Sequence, residues 1–252
     1  MLHAQIQITE IDFETASGYT TSVPEFTDGN RDFFLRTDGT DMRSNYEVFG
    51  KEGDYFFAGE DLDAEGASIP LFMYLDTLSI TGFDNLTFSV LIAEDDDGAN
   101  QDWDIRDYVH INYSIDGGPS QNLIWIRYSG SSNSEPALDS DFDEVGDSTR
   151  VTSTFQPFTA NIAGTGDELA ITLEWKMNGG QEDLAIDLIQ VTGNPTAGGN
   201  DFDSEVSAPS VQIPASNIAS LADTPAKYRM FSASISMIRA ILTASQPSSP
   251  KL

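Results

Sequence analysis

Leu169, Ile171, Leu173, Trp175 and Met177 stand at every second position of one short run. A two-residue period puts all five on one face of an extended strand, whereas a helix would scatter them around its axis. The same pattern recurs. Asn85 to Ala93 carries Leu86, Phe88, Val90 and Ile92 in alternation, and Tyr108 to Ile115 carries Val109, Ile111, Tyr113 and Ile115 against Tyr108, His110, Asn112 and Ser114. Asp116-Gly117-Gly118 then reads as a turn, and Leu123 to Tyr128 as the returning strand. Leu184 to Val191 is apolar at nearly every position, the mark of a strand covered on both sides. No ten-residue stretch before residue 194 has a helical period. The expected fold is all-β: eight to eleven short strands in two packed antiparallel sheets, a jelly-roll β-sandwich over 6–193.

Beyond that domain, 194–223 reads as a linker and the start of a truncated second β-module. Residues 224–252 form a different tail. None of the 41 acidic residues lies beyond Asp223. Met230 to Ala244 could form a short helix. The competing expectation is a change of reading frame near Ala226, or a disordered end.

Charge narrows the partners. A net charge of −29 would repel a phosphate backbone, so nucleic-acid binding is not expected. No run approaches the roughly 20 apolar residues that cross a bilayer, so membrane insertion is not expected either. With no cysteine, disulfides and thiolate metal sites are excluded. His3 and His110 are the only histidines, too few for a histidine zinc site or a Ser-His-Asp triad. Met1-Leu2-His3-Ala4 reads as the stub of a signal peptide.

Two short motifs bracket the domain: Ile11-Asp12-Phe13-Glu14 and Ile186-Asp187-Leu188-Ile189. A carboxylate such as Asp187 inside an apolar strand costs several kcal/mol unless compensated. In these motifs the chain resembles the carbohydrate-binding and MAM-like jelly rolls of secreted bacterial proteins. That resemblance implies an extracellular or cell-surface accessory module whose opening acid and closing aspartate hold a structural calcium. Glu14 and Asp187 would be the ligands, with Asp28, Glu60, Asp61 and Asp63 as candidates to complete an oxygen shell. Its implied partners are a polysaccharide and neighbouring domains of a larger protein.

The acid-rich segment from Glu94 to Asp104 offers a secondary metal set of Asp95, Asp97, Asp102 and Asp104. Trp103 within it, with Tyr108, is a candidate platform for a sugar face, and packing of Trp103 beneath the loop is the plainer alternative. Asp139 to Asp147 is also acid-rich. It is not an EF-hand, since Glu144 replaces the required glycine and Arg150 the bidentate acid, though another kind of calcium loop stays open.

The expected function is therefore non-catalytic binding. One alternative is a structural adhesin fragment. The other is enzymatic: Glu10-Ile11-Asp12-Phe13-Glu14 resembles the E-x-D-x-E strand of retaining β-glucanases. That resemblance would make Glu10 the nucleophile, Glu14 the acid/base and Asp12 the residue tuning them, all on one strand face.

Overall fold

The computed structural model describes residues 5–64, 66–95 and 103–196. Their strands run β1 (Ile6–Ile11), β2 (Tyr19–Thr21), β3 (Phe26–Thr27), β4 (Phe33–Thr37), β5 (Phe56–Glu60), β6 (Leu71–Leu75) and β7 (Leu78–Ser79). They continue with β8 (Phe83–Ala93), β9 (Tyr108–Ile115), β10 (Gln121–Tyr128), β11 (Pro136–Leu138), β12 (Gln156–Ile162), β13 (Glu168–Lys176) and β14 (Asp183–Pro195). There is no helix among the described residues, and the strands form two seven-stranded antiparallel sheets. The expected β-sandwich is what the chain builds.

The first sheet has the order β12-β8-β14-β5-β4-β3, with β1 also on β14. β5 pairs with Asp183 to Ile186 and β1 with Ile189 to Gly193. The second sheet has the order β11-β10-β9-β13-β6-β2, with β7 also on β13. Ile6 lies opposite Gly193, so the chain enters and leaves the sandwich side by side.

The alternating residues do what their period requires. Leu86, Phe88, Val90 and Ile92 of β8, and Leu169, Ile171, Leu173 and Trp175 of β13, are all buried between the sheets. Phe34, Phe57 and Trp175 pack edge-on or tilted at ring separations of 4.8 to 6.0 Å. Each large apolar side chain removed from water contributes roughly 1.5–3 kcal/mol before entropy is subtracted.

β14 departs from simple alternation for a local reason. From Asp183 to Asp187 it is buried at every position, and from Leu188 onward it alternates. The buried half lies under a second apolar cluster on the outer face of the first sheet, made by Phe33, Leu35, Phe56, Ala58, Ala93 and Ala185 with Met42 and Phe155 laid over them. The 38–55 segment supplies most of that cover. It is tied to the 153–155 segment by the Phe49 N–H to Ser153 (2.7 Å) and the Phe155 N–H to Phe49 (2.8 Å). Two-sided burial thus comes from this cover and ends where the cover ends.

Candidate functional site

Among the described residues, the outer face of the second sheet has no such cover. Its outward positions carry Trp125 on β10, Tyr108 and His110 on β9, Glu174 and Lys176 on β13, and Phe72 and Tyr74 on β6. Strand register sets them in rows. Trp125 lies opposite His110, His110 opposite Glu174, and Glu174 opposite Phe72, a row across three strand intervals or about 14 Å. Beside it, Arg127, Tyr108 and Lys176 form a second row, and Asn122, Asn112, Thr172 and Tyr74 a third.

The contacts along these rows are specific. His110 stacks on Trp125 at 4.7 Å and shares a hydrogen bond with the Asn122 side-chain oxygen at 3.0 Å. Burial lowers its pKa, against the opposing pull of Asn122 and Glu174, which favours a neutral ring near neutral pH. The Tyr108 hydroxyl donates to Glu174 at 2.5 Å, and burial together with that carboxylate raises its pKa. Phe72 and Tyr74 lie nearly parallel, 5.9 Å apart, and Tyr74 is 43% exposed. Flat apolar surface therefore alternates with fixed donors and acceptors.

The calcium candidates divide into two places. Glu14 accepts the amides of Asp54 (2.7 Å) and Tyr55 (2.8 Å). Those bonds, Tyr55 foremost, hold its pKa below the usual carboxylate range. Asp187, fully buried, accepts the Glu52 amide at 2.6 Å and the Leu188 amide at 2.7 Å. Both acids thus serve the turn at 52–55. Burial pushes Asp187 up to about 6, helped by the charges of Glu52 and Glu14. Gly53 lets the turn close: its φ is +66°, and a Cβ there would stand 2.3 Å from the Glu14 carboxylate.

Asp28, Asp61 and Asp63 do not join that pair. Asp28 accepts the amides of Asn30 and Asp32, while Asp61 is raised by burial and then by the charges of Asp32, Asp63 and Asp28. No three of these five carboxylates bring oxygens within 4.8 Å of one another, so the set does not gather into a single cluster. Among the described residues, the acids that do so are Asp139, Asp141 and Asp147.

Glu60 and Asp95, read as candidate ligands, are instead occupied by a guanidinium. Arg43 binds both oxygens of Glu60, reaches Asp95 at 2.5 Å and lies 3.9 Å from Asp183. Glu60 faces Asp183 across β5 and β14, and all four side chains are buried. Burial and the charge of Asp183 push Glu60 up to about 8 despite Arg43, and burial brings Asp183 to about 6. Asp104 caps its own turn by accepting the Arg106 amide at 2.7 Å. Asp97 and Asp102 lie outside the described residues, as does the whole of 197–252 with its module start and tail.

Two further expectations are corrected. Trp103 is fully buried in the core and cannot offer a ring to a ligand. Glu10, Asp12 and Glu14 do not share a strand face, because β1 ends at Ile11 and Phe13 turns the chain with φ +57°. Glu10 instead binds the Gln190 side chain, Asp12 caps the Glu14 amide, and Glu14 has the lowered pKa of a poor general acid. Tyr108 does belong to the open face. Trp125, Phe72, Tyr74 and Glu174 were missed as members of it. The signal was available to a degree: outward positions of a half-buried strand are normally polar, and aromatics there ask for a reason.

No family model matches the chain, and no curated protein matches it in sequence. Several solved structures superpose on most of its length. The K3 cleaved adhesin domain of Lys-gingipain from Porphyromonas gingivalis is 14% identical, covering 75% of this chain and 100% of that domain, with a TM-score of 0.42. The CBM22-1 xylan-binding domain from Paenibacillus barcinonensis is 11% identical over 78% and 100%, at 0.40. An apo cyclase from Fischerella sp. is 14% identical over 77% and 90%, at 0.41. At this level of superposition the likenesses carry no argument about what this chain binds.

Proposed function

We propose that this chain is a non-catalytic, calcium-stabilised polysaccharide-binding module of a secreted or cell-surface protein, with the outer face of the second sheet as its glycan platform. The observation that carries this reading is the cross-strand row Trp125, His110, Glu174 and Phe72, flanked by Tyr74. A pyranose presents C–H faces and a rim of hydroxyls. Aromatic rings take the first and fixed amide, imidazole and carboxylate groups the second. A row about 14 Å long exceeds a single sugar ring, so an oligosaccharide stretch fits it better than a monosaccharide. Among the described residues no helix is long and apolar enough to cross a membrane.

Calcium is proposed at Glu14 and Asp187. What supports it is the burial of Asp187, which has no ion pair among the described residues, together with hard carboxylate oxygens that can accept more than one partner. A cation bound there would offset the desolvation that now raises Asp187.

The test has two arms. Titration calorimetry against soluble neutral polysaccharides, xylan and β-glucans among them, should detect binding that Tyr74→Ala weakens; no binding across the panel would dismiss the glycan platform. Thermal melting in EDTA and then in calcium should show an upward shift, because an ion that binds only the folded state must raise the melting temperature. Asp187→Asn should remove that shift, and a wild-type melt indifferent to calcium would remove the metal.

A further inference from the structure

One residue on the open face is almost wholly covered. Arg127 lies on the outward side of β10, where a guanidinium would ordinarily extend into water, yet it is only 3% exposed. Carbonyl groups hold it there. Its Nε donates to the Glu144 carbonyl at 3.0 Å and its Nη2 to the Ile105 carbonyl at 3.2 Å. The Glu144 carboxylate lies farther away, at 3.6 Å, and is 68% exposed, so that ion pair is a minor contributor. The same guanidinium sits 4.9 Å from the centre of the Trp125 ring and 5.4 Å from that of Tyr108.

The two carbonyls belong to different loops. Ile105 is in the 104–107 turn that leads into β9, where Asp104 and Asp107 bond within the turn. Glu144 is in the 139–147 loop that follows β11. That loop is ordered by its own acids: Asp139 accepts the amides of Asp143 and Glu144, and Asp147 accepts from Ser140. Gly146 brings it against the sheet, where a Cβ would stand 2.7 Å from the carbonyls of Arg127 and Ala137. Both loops hold an apolar side chain toward solvent, Ile105 at 62% exposure and Phe142 at 37%.

We propose that Arg127 is the positioning residue of the glycan platform, fastening the 104–107 and 139–147 loops into a rim beside Trp125 and Tyr108 and holding those two rings in the orientation a sugar meets. This rests on the polysaccharide reading above. Geometry explains the choice of arginine: a planar fork can donate in two fixed directions while stacking on rings, and an ammonium cannot.

The experiment compares wild type, Arg127→Lys and Arg127→Met, well below their melting temperatures. Hydrogen exchange of the 143–146 amides reads the fastening, and calorimetry with the best-bound neutral polysaccharide of the panel reads the positioning. Faster exchange in both variants, with affinity down about tenfold in Arg127→Met and by less in Arg127→Lys, is the expected result. A merely structural arginine would lower the melting temperature and leave the affinity of the folded protein unchanged, which would overturn the proposal. Unchanged exchange at 143–146 would overturn it too. If wild type binds no polysaccharide the glycan reading falls by itself, while the exchange data still decide whether Arg127 fastens the rim. Should Arg127→Met fail to fold, Arg127→Lys carries both measurements.

Discussion

The outer faces of the two sheets are built from similar material and treated in opposite ways. On the first sheet Phe33, Leu35 and Phe56 point outward and are covered by Met42, Tyr46 and Phe155, making a second small core. On the second, Phe72, Tyr74 and Trp125 point outward and stay half-open or exposed. The hydrophobic effect acts alike on both, so the difference lies in what the chain supplies next to each. Among the described residues, the first sheet has the long 38–55 segment and the second only a rim at one end. Aromatics left open beside fixed polar groups are where a ligand can complete the burial that the described residues do not.

The contrast can be broken most sharply by paired truncations. Phe56→Ala should cost about 3–5 kcal/mol in urea unfolding, because it opens a cavity in a closed cluster. Phe72→Ala should cost less than about 1 kcal/mol. Equal losses would mean that the two faces do not differ energetically.

A second test uses the buried charge beneath the covered face. Glu60 and Asp183 have folded pKa values raised above those of the unfolded chain. The folded state therefore binds protons that the unfolded state releases, and stability falls as pH rises from about 4.5 to about 8. In EDTA the protein should melt higher at pH 5.5 than at pH 8.5, with an effect on the order of 2 kcal/mol that Glu60→Gln diminishes. A melt that rises with pH across that window would contradict the burial of this cluster.

On the open face, Tyr74→Ala should weaken glycan binding about tenfold, or roughly 1.4 kcal/mol, and change stability by less than about 0.5 kcal/mol. A large loss of stability would show that Tyr74 belongs to the core. The smallest effect is expected of Gly53→Ala, which strains a positive φ and crowds Glu14. It should loosen the cover by about 1 kcal/mol in unfolding experiments and leave glycan affinity as it is.

The sandwich was legible because both sheets need one buried face, and a two-residue period records it directly, as in β8, β9 and β13. The outer faces were harder. The continuous apolar run in β14 showed burial on both sides, but the covering segment at 38–55 has no period of its own. Trp103 and Trp125 look equally available in sequence. One lies in the core, bridged to Ser134 ahead of β9, and the other on the open face, where the register of β9 with β10 sets it opposite His110. The acids misled for a related reason. Glu60 and Asp95 have oxygens suited to a cation, and the cation they meet is Arg43, 17 and 52 residues away along the chain. What could be read of the site, Tyr108 and its outward neighbours, came from alternation alone.

The pairing of Ile6 with Gly193 has a mechanical consequence. A load carried through the flanking chain would pull both strands of the β1–β14 ladder from the same end. Its hydrogen bonds would then break in succession, as a zipper opens, instead of sharing the load in shear. A module tethered this way should yield at its first strand under modest tension while the open face of the other sheet is still intact.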